Sequence, residues 1–369
     1  MDYYARPKHH YKPKRGWIND PNGLVFFDGY YHLFYQHAPS NEVPWKEPMC
    51  WGHARSRNFI EWEELPVALT PDKPYDRDGC WSGTATVKDE TVFLAYTGRV
   101  KKDPKIPSRQ RTCIAYSKNG VDFEKYEKNP VINAIPSPLD QNNFRDPALA
   151  RLGDKYYCVM ATGVPERNTG ALALFESADI LNWSYLGIMK EWESAKFAEC
   201  PSFICDIPQN AWLSASVCRK DSHFFTVMKG SFENGIFKEE ISASVDLGPD
   251  QYAGQMFKDH FGRIILMTWI SGWNYQGFVE GHDIGCMSCP REIFVRDQKI
   301  CAYPVKELQH LLRDSDPAVQ MTKDGFVIGR QGRDPVVYRG EVRELAILRD
   351  AYVVEIFVNG GEAVYTAVL

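Results

Sequence analysis

The sequence predicts an all-β protein, a five-bladed β-propeller followed by a small, reduced C-terminal β-sandwich module. Two observations carry this prediction. Before residue 304 a helical period is hard to find, and short β-branched and aromatic runs alternate with Gly, Pro, Asn and Asp, which is the pattern of strands and turns. In addition, a motif with an acidic or aromatic head residue returns five times, and regular returns indicate a repeat architecture.

The first copy of the motif surrounds Asp20, in the run Trp17–Gly23. Pro and Asn-Gly interrupt regular backbone, so this carboxylate is expected at the mouth of a strand rather than inside one. Eight residues later Asp28 opens a turn before an apolar run with paired tyrosines, and Asp146 followed by Asp154 repeats that offset. An Asp that merely closes a turn is the ordinary alternative, and the repetition argues against it.

Weaker copies begin at Trp81, Glu199 and Tyr252, so the five heads are separated by 61, 65, 53 and 53 residues. After each of the first four copies a Ser precedes a Trp or Phe by six residues, at Ser56/Trp62, Ser117/Phe123, Ser177/Trp183 and Ser231/Phe237. Two hairpins per copy correspond to one four-stranded blade. Because the first strand of every blade lines the channel of a propeller, we expect the five heads to face one funnel.

The pattern changes after the fifth copy. Residues 1–303 are assigned to the propeller, residues 304–312 to a connecting amphipathic helix or turn, and residues 313–369 to the module. The module holds five or six short strands, too few for two full sheets that bury each other. One of them, near residues 353–358, is apolar on both faces. We therefore expect the module to pack on the fifth blade and to help form a homodimer.

Charge and composition restrict the partners. The net charge is −5 without a long run of either sign, which argues against nucleic acid or an anionic membrane. Aromatic residues make up 13% of the chain, which fits both a β-rich core and clefts that stack sugar rings. No stretch approaches the length of a membrane span. A neutral or small polar ligand fits these observations better.

The ten cysteines are scattered except for Cys286 and Cys289, a lone C-x-x-C. A structural zinc site needs two such pairs or a Cys/His set, so no metal and no other cofactor is expected. The first six residues lack the apolar stretch of a secretion signal. Many cysteines without a signal favour a reducing compartment, and we expect a cytoplasmic protein.

Three of the predicted funnel residues, Asp20, Asp146 and Glu199, are carboxylates. An unpaired carboxylate cluster is costly, so the set indicates either a metal site or a carboxylate catalyst. Catalysis is favoured because no His heads a blade and because Arg145 precedes Asp146 and supplies the positive charge that a metal would duplicate. Cleavage of a glycoside uses one carboxylate as nucleophile and another as proton donor.

The sequence neighbours of Asp20 and Glu199 predict which of the two is the nucleophile and which is the proton donor. Glu199 lies in an apolar run, which disfavours its ionised form, whereas Asp20 lies among amide and backbone donors, which favour ionisation. Asp20 is therefore predicted to be the nucleophile and Glu199 the general acid and base.

These motifs resemble glycoside hydrolase family 32, the β-fructofuranosidases that include invertases, inulinases and levanases. The family motif W-[MI]-N-D-P-N-G stands here as Trp17–Gly23, R-D-P as Arg145–Pro147 and E-C-P as Glu199–Pro201. The resemblance runs from about His9 to Asn359, and the three acidic motifs together are highly specific. It implies a five-bladed propeller with a C-terminal sandwich, and a retaining mechanism.

The resemblance also implies roles. Asp20 would attack the anomeric carbon of a terminal fructosyl unit of sucrose or a short fructo-oligosaccharide, and Glu199 would protonate the leaving oxygen. Their carboxyl oxygens would then lie roughly 5–6 Å apart. Asp146 would bind sugar hydroxyls and stabilise the transition state. The positions that match the lining of the fructosyl pocket are Asn19, Gln36, Trp45, Trp81, Ser82, Arg145 and Trp273.

Departures from the family pattern leave the substrate open. Ala38-Pro39 stands where Asn-Pro is usual, Ser202 stands where many invertases have Asp, and the module is short. Three alternatives remain: a fructosyltransferase, a sugar-binding propeller without activity, and a metal-using propeller hydrolase such as an arabinanase. The paired Asp20 and Glu199 argue against the binder, which needs neither a nucleophile nor an acid.

Overall fold

The computed structural model describes four ranges of the chain, residues 6–40, 48–101, 109–270 and 285–369. Within them the secondary structure consists of 27 strands and two short 3₁₀ segments, Pro165–Arg167 and Lys306–Leu311. Among these residues no helix has the length and apolarity that crossing a bilayer requires. The all-β class is confirmed, and the predicted connecting helix is one of the 3₁₀ segments.

Five antiparallel sheets follow one another along the chain. Blade one contains β1 (Trp17–Phe27), β2 (Tyr30–Ala38), β3 (Cys50–Ser56) and β4 (Glu63–Leu69). Blade two contains β5 (Cys80–Lys88), β6 (Thr91–Val100), β7 (Arg109–Ser117) and β8 (Glu124–Lys125). Blade three contains β9 (Phe144–Leu152), β10 (Lys155–Val164), β11 (Thr169–Ser177) and β12 (Ser184–Glu193).

Blades four and five complete the series. Blade four contains β13 (Ala195–Cys205), β14 (Ala211–Arg219), β15 (His223–Glu233) and β16 (Ile236–Ala243). Blade five contains β17 (Gln251–Lys258), β18 (Ile264–Ile270), β20 (Arg291–Arg296) and β21 (Lys299–Pro304), and β19 (Cys286–Met287) also pairs with β18.

The innermost strands close into a ring, because β1, β5, β9, β13 and β17 contact one another in that order and β17 contacts β1. Gln255 on β17 ties the ring together. Its side-chain oxygen accepts from the Leu24 N–H at 3.0 Å, and its amide nitrogen donates to the Gly83 carbonyl at 3.0 Å. Gly83 also lies close to β6, because a Cβ at this position would be 1.9 Å from the Ala95 carbonyl oxygen. Glycine therefore permits the close approach of β5 and β6. The predicted five-bladed propeller is confirmed.

Every innermost strand has a bulge at its head, where the pairing with the second strand of the blade shifts register. Asp146 and Cys200 have φ angles of +55° and +46° at these bulges, and bulges turn side chains out of the regular alternation. Pro21 and Pro147 follow their heads directly, and Pro201 lies two residues after Glu199. Proline donates no ladder hydrogen bond and is tolerated at bulges. The bulges therefore aim the head side chains into the channel.

The repeated serines mark a common turn in three blades. Ser56, Ser117 and Ser177 end the third strands, and each is followed two residues later by Asn or Asp. In blade one the Asn58 side-chain oxygen accepts from the backbone N–H groups of Ile60 and Glu61, both at 3.0 Å. Ser231 differs, since it lies inside β15, which turns at Asn234-Gly235. The fourth serine of the pattern therefore marks a different turn.

The C-terminal module consists of two three-stranded sheets. They are formed by β22 (Val319–Thr322), β23 (Gly325–Ile328) and β24 (Val336–Arg339), and by β25 (Leu345–Asp350), β26 (Val353–Val358) and β27 (Ala363–Val368). On one face of β26, Ile356 packs in a cluster with Phe326 of the other sheet. On the opposite face Phe357 packs in a cluster with Ile293 of blade five.

The homodimer was predicted on the expectation that one face of β26 would lack cover in its own chain. All residues of β26 are buried, and both faces are covered by the same chain. That expectation is wrong, because the second thin sheet covers one face and blade five covers the other. The homodimer itself stays a prediction. The expected position on blade five is confirmed by these contacts.

A buried charge network joins the N-terminal segment, blade five and the module. His10 lies 2.9 Å from Asp350 through Nδ1 and 3.0 Å from Glu355 through Nε2. Arg291 of blade five reaches Glu355 at 3.0 Å and Asp246 at 2.6 Å. Buried charges persist only when they are paired and hydrogen-bonded. The network therefore fixes the module to the propeller.

The network predicts a loss of stability in alkali. Burial by itself lowers the pKa of His10, but Asp350 and Glu355 outweigh it and raise that pKa to about 9. An unfolded His has a pKa near ~6.5. The stabilisation by protonated His10 is fully present below pH ~6.5 and is lost as the pH rises through about 9. The free energy of unfolding should fall by about 3 kcal/mol over this range.

Urea unfolding at about pH 6.5, 8 and 10 checks this prediction, because the series spans the pKa of an unfolded His, ~6.5, and the raised pKa of His10, about 9. The free energy of unfolding of the unsubstituted protein should fall across the series, and that of His10→Gln should fall less. His310→Gln, at an exposed position, serves as the control. Equal slopes for the unsubstituted protein and His10→Gln would contradict the assignment.

Candidate active site

A cavity of about 540 Å³ opens at the head ends of the innermost strands. All the described residues that the sequence predicted for the site line it, namely Asn19, Asp20, Gln36, Trp81, Ser82, Arg145, Asp146 and Glu199. The two remaining predictions, Trp45 and Trp273, lie outside the described residues. Side chains from separate blades, distant in sequence, thus meet in one place.

Asp20 is held by neighbours from three strands. Its Oδ2 accepts from the Ser82 hydroxyl at 2.9 Å, and the Cys200 thiol donates to the same oxygen at 3.4 Å. The adjacent Asn19 is buried, and its side-chain oxygen accepts from the Trp17 indole N–H at 2.9 Å. These contacts fix the Asp20 carboxylate while it remains part of the cavity wall.

Glu199 lies among three donors. Its Oε1 accepts from Arg145 Nη2 at 2.8 Å, and its Oε2 accepts from the Tyr252 hydroxyl at 2.6 Å and the Cys218 thiol at 3.0 Å. The side chain is 18% exposed, so it can still meet a ligand. Tyr252 heads the fifth blade, which explains why a residue so far along the chain reaches Glu199.

Arg145 is positioned on several sides. Nη1 donates to Asn143 Oδ1 at 2.9 Å and to Gln110 Oε1 at 3.2 Å, and the guanidinium carbon lies 4.7 Å from the centre of the Phe197 ring. Its side chain is 8% exposed. A buried, permanently charged guanidinium held this way is a fixed electrostatic partner for Glu199.

Asp146 is the most enclosed of the three acids. Its Oδ2 accepts from the Cys200 N–H at 3.0 Å, its own N–H donates to the Thr97 hydroxyl at 2.8 Å, and Arg145 Nε lies 3.9 Å away. Burial raises the pKa of Asp146; the nearby Arg145 opposes this, and the net value is about 7. Burial therefore favours the protonated form of Asp146 up to a higher pH than is usual for an Asp.

The pKa shifts of Asp20 and Glu199 run opposite to those that their sequence neighbours predicted. Burial, and then the charge of Glu199, raise the pKa of Asp20 despite its hydrogen bonds. Burial also acts to raise the pKa of Glu199, but Arg145, Tyr252 and Cys218 outweigh it and lower that pKa. The apolar neighbours of Glu199 in sequence thus matter less than donors from other strands. The surroundings therefore favour the ionised form of Glu199 and disfavour the ionised form of Asp20.

Several cavity residues were not predicted: Met49, Arg99, Gln110, Asn142, Asn143 and Trp269. Trp269 lies near the end of β18, the second strand of blade five. Arg99 and Gln110 lie on the second and third strands of blade two, where the head motif gives no signal. Only the pairing of β6 with β7 places them at the cavity.

The described residues contain no group of three or more His, Cys, Asp or Glu side chains arranged to hold a metal ion. Arg145 approaches two of the three acids, at 2.8 Å from Glu199 and 3.9 Å from Asp146. A guanidinium at these positions supplies the positive charge that balances the carboxylates. The chemistry open to this donor set is proton transfer and nucleophilic attack by carboxylates.

Comparison with known proteins identifies relatives of this chain. The chain is 35% identical over 333 residues to a sucrose-6-phosphate hydrolase of Zymomonas mobilis, covering 84% of this chain and 64% of that protein. It is 32% identical over 326 residues to a raffinose invertase of Escherichia coli, covering 84% of this chain and 67% of that protein. The chain thus spans about 64% of the first relative's length.

Solved structures share the fold. A β-fructofuranosidase of Bombyx mori, a point mutant in complex with sucrose, superposes with a TM-score of 0.84 at 27% identity, covering all of this chain and 89% of the other. The family model described as the N-terminal domain of glycosyl hydrolases family 32 matches residues 10–304. On this match and on these relatives, the chain belongs to glycoside hydrolase family 32.

Proposed function

We propose that the protein is a retaining β-fructofuranosidase, which releases terminal, non-reducing β-D-fructofuranosyl units from sucrose or short fructo-oligosaccharides. The observation that carries the proposal is the pair of Asp20 and Glu199 on one cavity wall, held by different partners that shift their pKa values in opposite directions. Pairs of carboxylates with separated pKa values are what acid and nucleophile roles require.

The proposed reaction has two steps. Asp20 attacks the anomeric carbon while the bond to the leaving oxygen breaks and Glu199 gives its proton to that oxygen. Glu199 then takes a proton from water, the hydroxide displaces Asp20 from the anomeric carbon, and fructose leaves. Two displacements retain the configuration, and the separation of roughly 5–6 Å between the carboxyl oxygens stays a prediction.

The resting ionisation requires one proton to move before the first step. Glu199, whose pKa is lowered, must gain a proton, and Asp146, whose pKa is about 7, lies among the same contacts. Sugar hydroxyls that donate to Asp20 and Asp146 would favour their ionised forms. Substrate binding itself would then drive the proton toward Glu199.

Relatives named sucrose-6-phosphate hydrolase and raffinose invertase support a fructosyl-bearing substrate. A fructosyltransferase on the same scaffold and a sugar-binding propeller without activity are the alternatives. A product profile on sucrose, inulin, levan and sucrose 6-phosphate tests all three. Free fructose is expected, transferase activity would give longer oligosaccharides, and unchanged substrate would indicate a binder.

Chelation should leave the activity intact, because Arg145 already balances the acids at the distances given above. The measurement is the rate of fructose release after incubation with EDTA and removal of the chelator. A loss that calcium restores would instead assign the carboxylates to a metal site.

We further propose a cytoplasmic location for the protein. All ten cysteines are buried as thiols and none forms a disulfide, which is the usual state in a reducing compartment. Fractionation of the source cells with an antibody to the protein tests this.

A further inference from the structure

Cys218 on β14 contacts two groups of the site at once. Its sulfur lies 3.0 Å from Glu199 Oε2 and 3.0 Å from the Tyr252 hydroxyl oxygen, and that hydroxyl donates to the same Oε2 at 2.6 Å. The thiol, the hydroxyl and the carboxylate therefore form a closed triangle. The reaction above uses Glu199 and gives the thiol no role.

The strand register places the thiol beside Glu199. Phe197 pairs with Cys218 and Glu199 pairs with Ser216, so Cys218 is the diagonal cross-strand neighbour of Glu199. Side chains in this relation share one face of the sheet. Cys218 is buried in a cluster that includes Trp269. A hydrogen bond to a carboxylate is stronger in such surroundings than in water.

Cys218 and Tyr252 both keep their protons near neutral pH. Burial raises the pKa of Cys218, and the charge of Glu199 raises it further. Burial and the charge of Glu199 likewise raise the pKa of Tyr252. Both groups therefore remain donors while Glu199 titrates, and each favours its ionised form.

Other groups also act on the ionisation of Glu199. Within the described part of the chain, the titratable groups that interact with it are Asp20, Arg145, Asp146, Cys200, Cys218, His223 and Tyr252. Arg145 favours the ionised form, whereas the two aspartates oppose it when they are charged. Burial lowers the pKa of His223, which disfavours its positive form. Unlike the charged members of this set, Cys218 can be replaced without changing the net charge of the site.

The two steps of the reaction make opposite demands on Glu199. It must be protonated to give a proton to the leaving oxygen, and it must be ionised to take one from water. A donor that favours the ionised form therefore helps the second step at the expense of the first.

We propose that Cys218 is a positioning residue for the acid and base of the reaction. Its thiol bridges Glu199 and the Tyr252 hydroxyl, holds Glu199 in the ionised form between the two steps, and restricts the first step at alkaline pH. This inference rests on the proposed fructosidase function.

The test is the pH dependence of kcat/KM for sucrose in the unsubstituted protein, Cys218→Ala and Cys218→Ser. This constant reports the free enzyme. Above the pKa of both acids it follows the fraction of Glu199 that is still protonated, and below both it follows the fraction of Asp20 that is still ionised. Cys218→Ala should therefore raise kcat/KM at the alkaline end by up to about 10-fold, which corresponds to about one pH unit, and leave the acid end unchanged. Cys218→Ser should restore the original profile, because a hydroxyl donates and accepts as the thiol does.

Cys205→Ala is the matched control. Cys205 is a buried thiol at the other end of β13, the strand that carries Glu199, and its loss should not change the ratio between the two ends of the profile. A purely structural role for Cys218 would lower kcat/KM by the same factor at both ends, which would overturn the proposal. In a Tyr252→Phe background the effect of Cys218→Ala should shrink, because coupled groups are not additive. Fully additive effects would overturn the bridge between them.

A readout independent of turnover separates this inference from the proposed function. If no sugar is cleaved, the proposed function fails, and titration of Glu199 alone decides about Cys218. The ¹³C NMR signal of the Glu199 carboxyl is identified by its absence in Glu199→Gln. Its midpoint should lie up to about one pH unit higher in Cys218→Ala than in the unsubstituted protein. Equal midpoints would show that the thiol does not act on Glu199.

Discussion

Asp20→Asn is expected to lower kcat for fructose release by at least about 10⁴-fold, the scale seen when a catalytic nucleophile is removed. The amide has nearly the shape of the carboxylate and can still accept from Ser82, which lies 2.9 Å away. It cannot form a bond to the anomeric carbon. The loss should appear in kcat on every fructosyl substrate, because no other cavity group replaces the attacking oxygen.

The melting temperature of Asp20→Asn should not fall with its activity. Burial and the charge of Glu199 both raise the pKa of Asp20, so the folded protein holds this carboxylate at a cost. A neutral amide removes that repulsion, and Asp20→Asn should melt at the same temperature as the unsubstituted protein or higher. Lost activity with retained stability is the signature of a site optimised for function rather than folding.

Asp154→Asn is the matched control. Asp154 occupies the turn that follows Asp146 in the repeated motif and is exposed. It should change neither kcat nor melting temperature. A loss below about tenfold in Asp20→Asn would remove Asp20 from the nucleophile role, since such a residue contributes far more.

The fold and the three acids could be predicted because the same head motif recurs at a nearly constant spacing. The three copies with an acidic head each carry a Pro at the bulge, and propeller closure then brings Asp20, Asp146 and Glu199 to one cavity. The prediction needed only local pattern plus one rule of topology. No distance between blades had to be known.

The acidity of Glu199 could not be predicted in that way. Its donors are Arg145, Cys218 and Tyr252, each from a different strand, and only two of those strands carry a recognisable head. The sequence neighbours of Glu199 are apolar, but the alternation of a strand points them elsewhere. Electrostatic surroundings depend on tertiary contacts, and a linear pattern does not report them.

The expectation of an uncovered strand face failed for a related reason, and the dimer itself stays a prediction. The apolar faces of Val353–Val358 were visible in the sequence, but the partners that cover them were not. Phe326 belongs to one thin sheet and Ile293 to blade five. Whether a few strands can bury one another depends on how their sheets stack. Short apolar runs in a sequence do not show that stacking.

Glu199→Ala is expected to lower turnover of sucrose by several orders of magnitude, since both the proton donor and the later base are lost. It should also lower stability, because the buried Arg145 loses its partner at 2.8 Å. Glu199→Gln is therefore the better matched variant: its amide oxygen can still accept from Arg145, and it cannot transfer the proton. The two variants separate the loss of catalysis from the loss of an ion pair.

Azide should distinguish the acid/base from the nucleophile. On p-nitrophenyl β-D-fructofuranoside the leaving group needs no proton, so the Glu199 variants should still form the fructosyl-enzyme and then wait for a base. Azide is already anionic and can open that intermediate without one, which should raise the rate and yield fructosyl azide of retained configuration. Asp20→Asn cannot form the intermediate and should not respond in this way. Equal, mild losses in the Asp20 and Glu199 variants, with no response to azide in either, would mean that the two carboxylates bind the sugar without reacting with it.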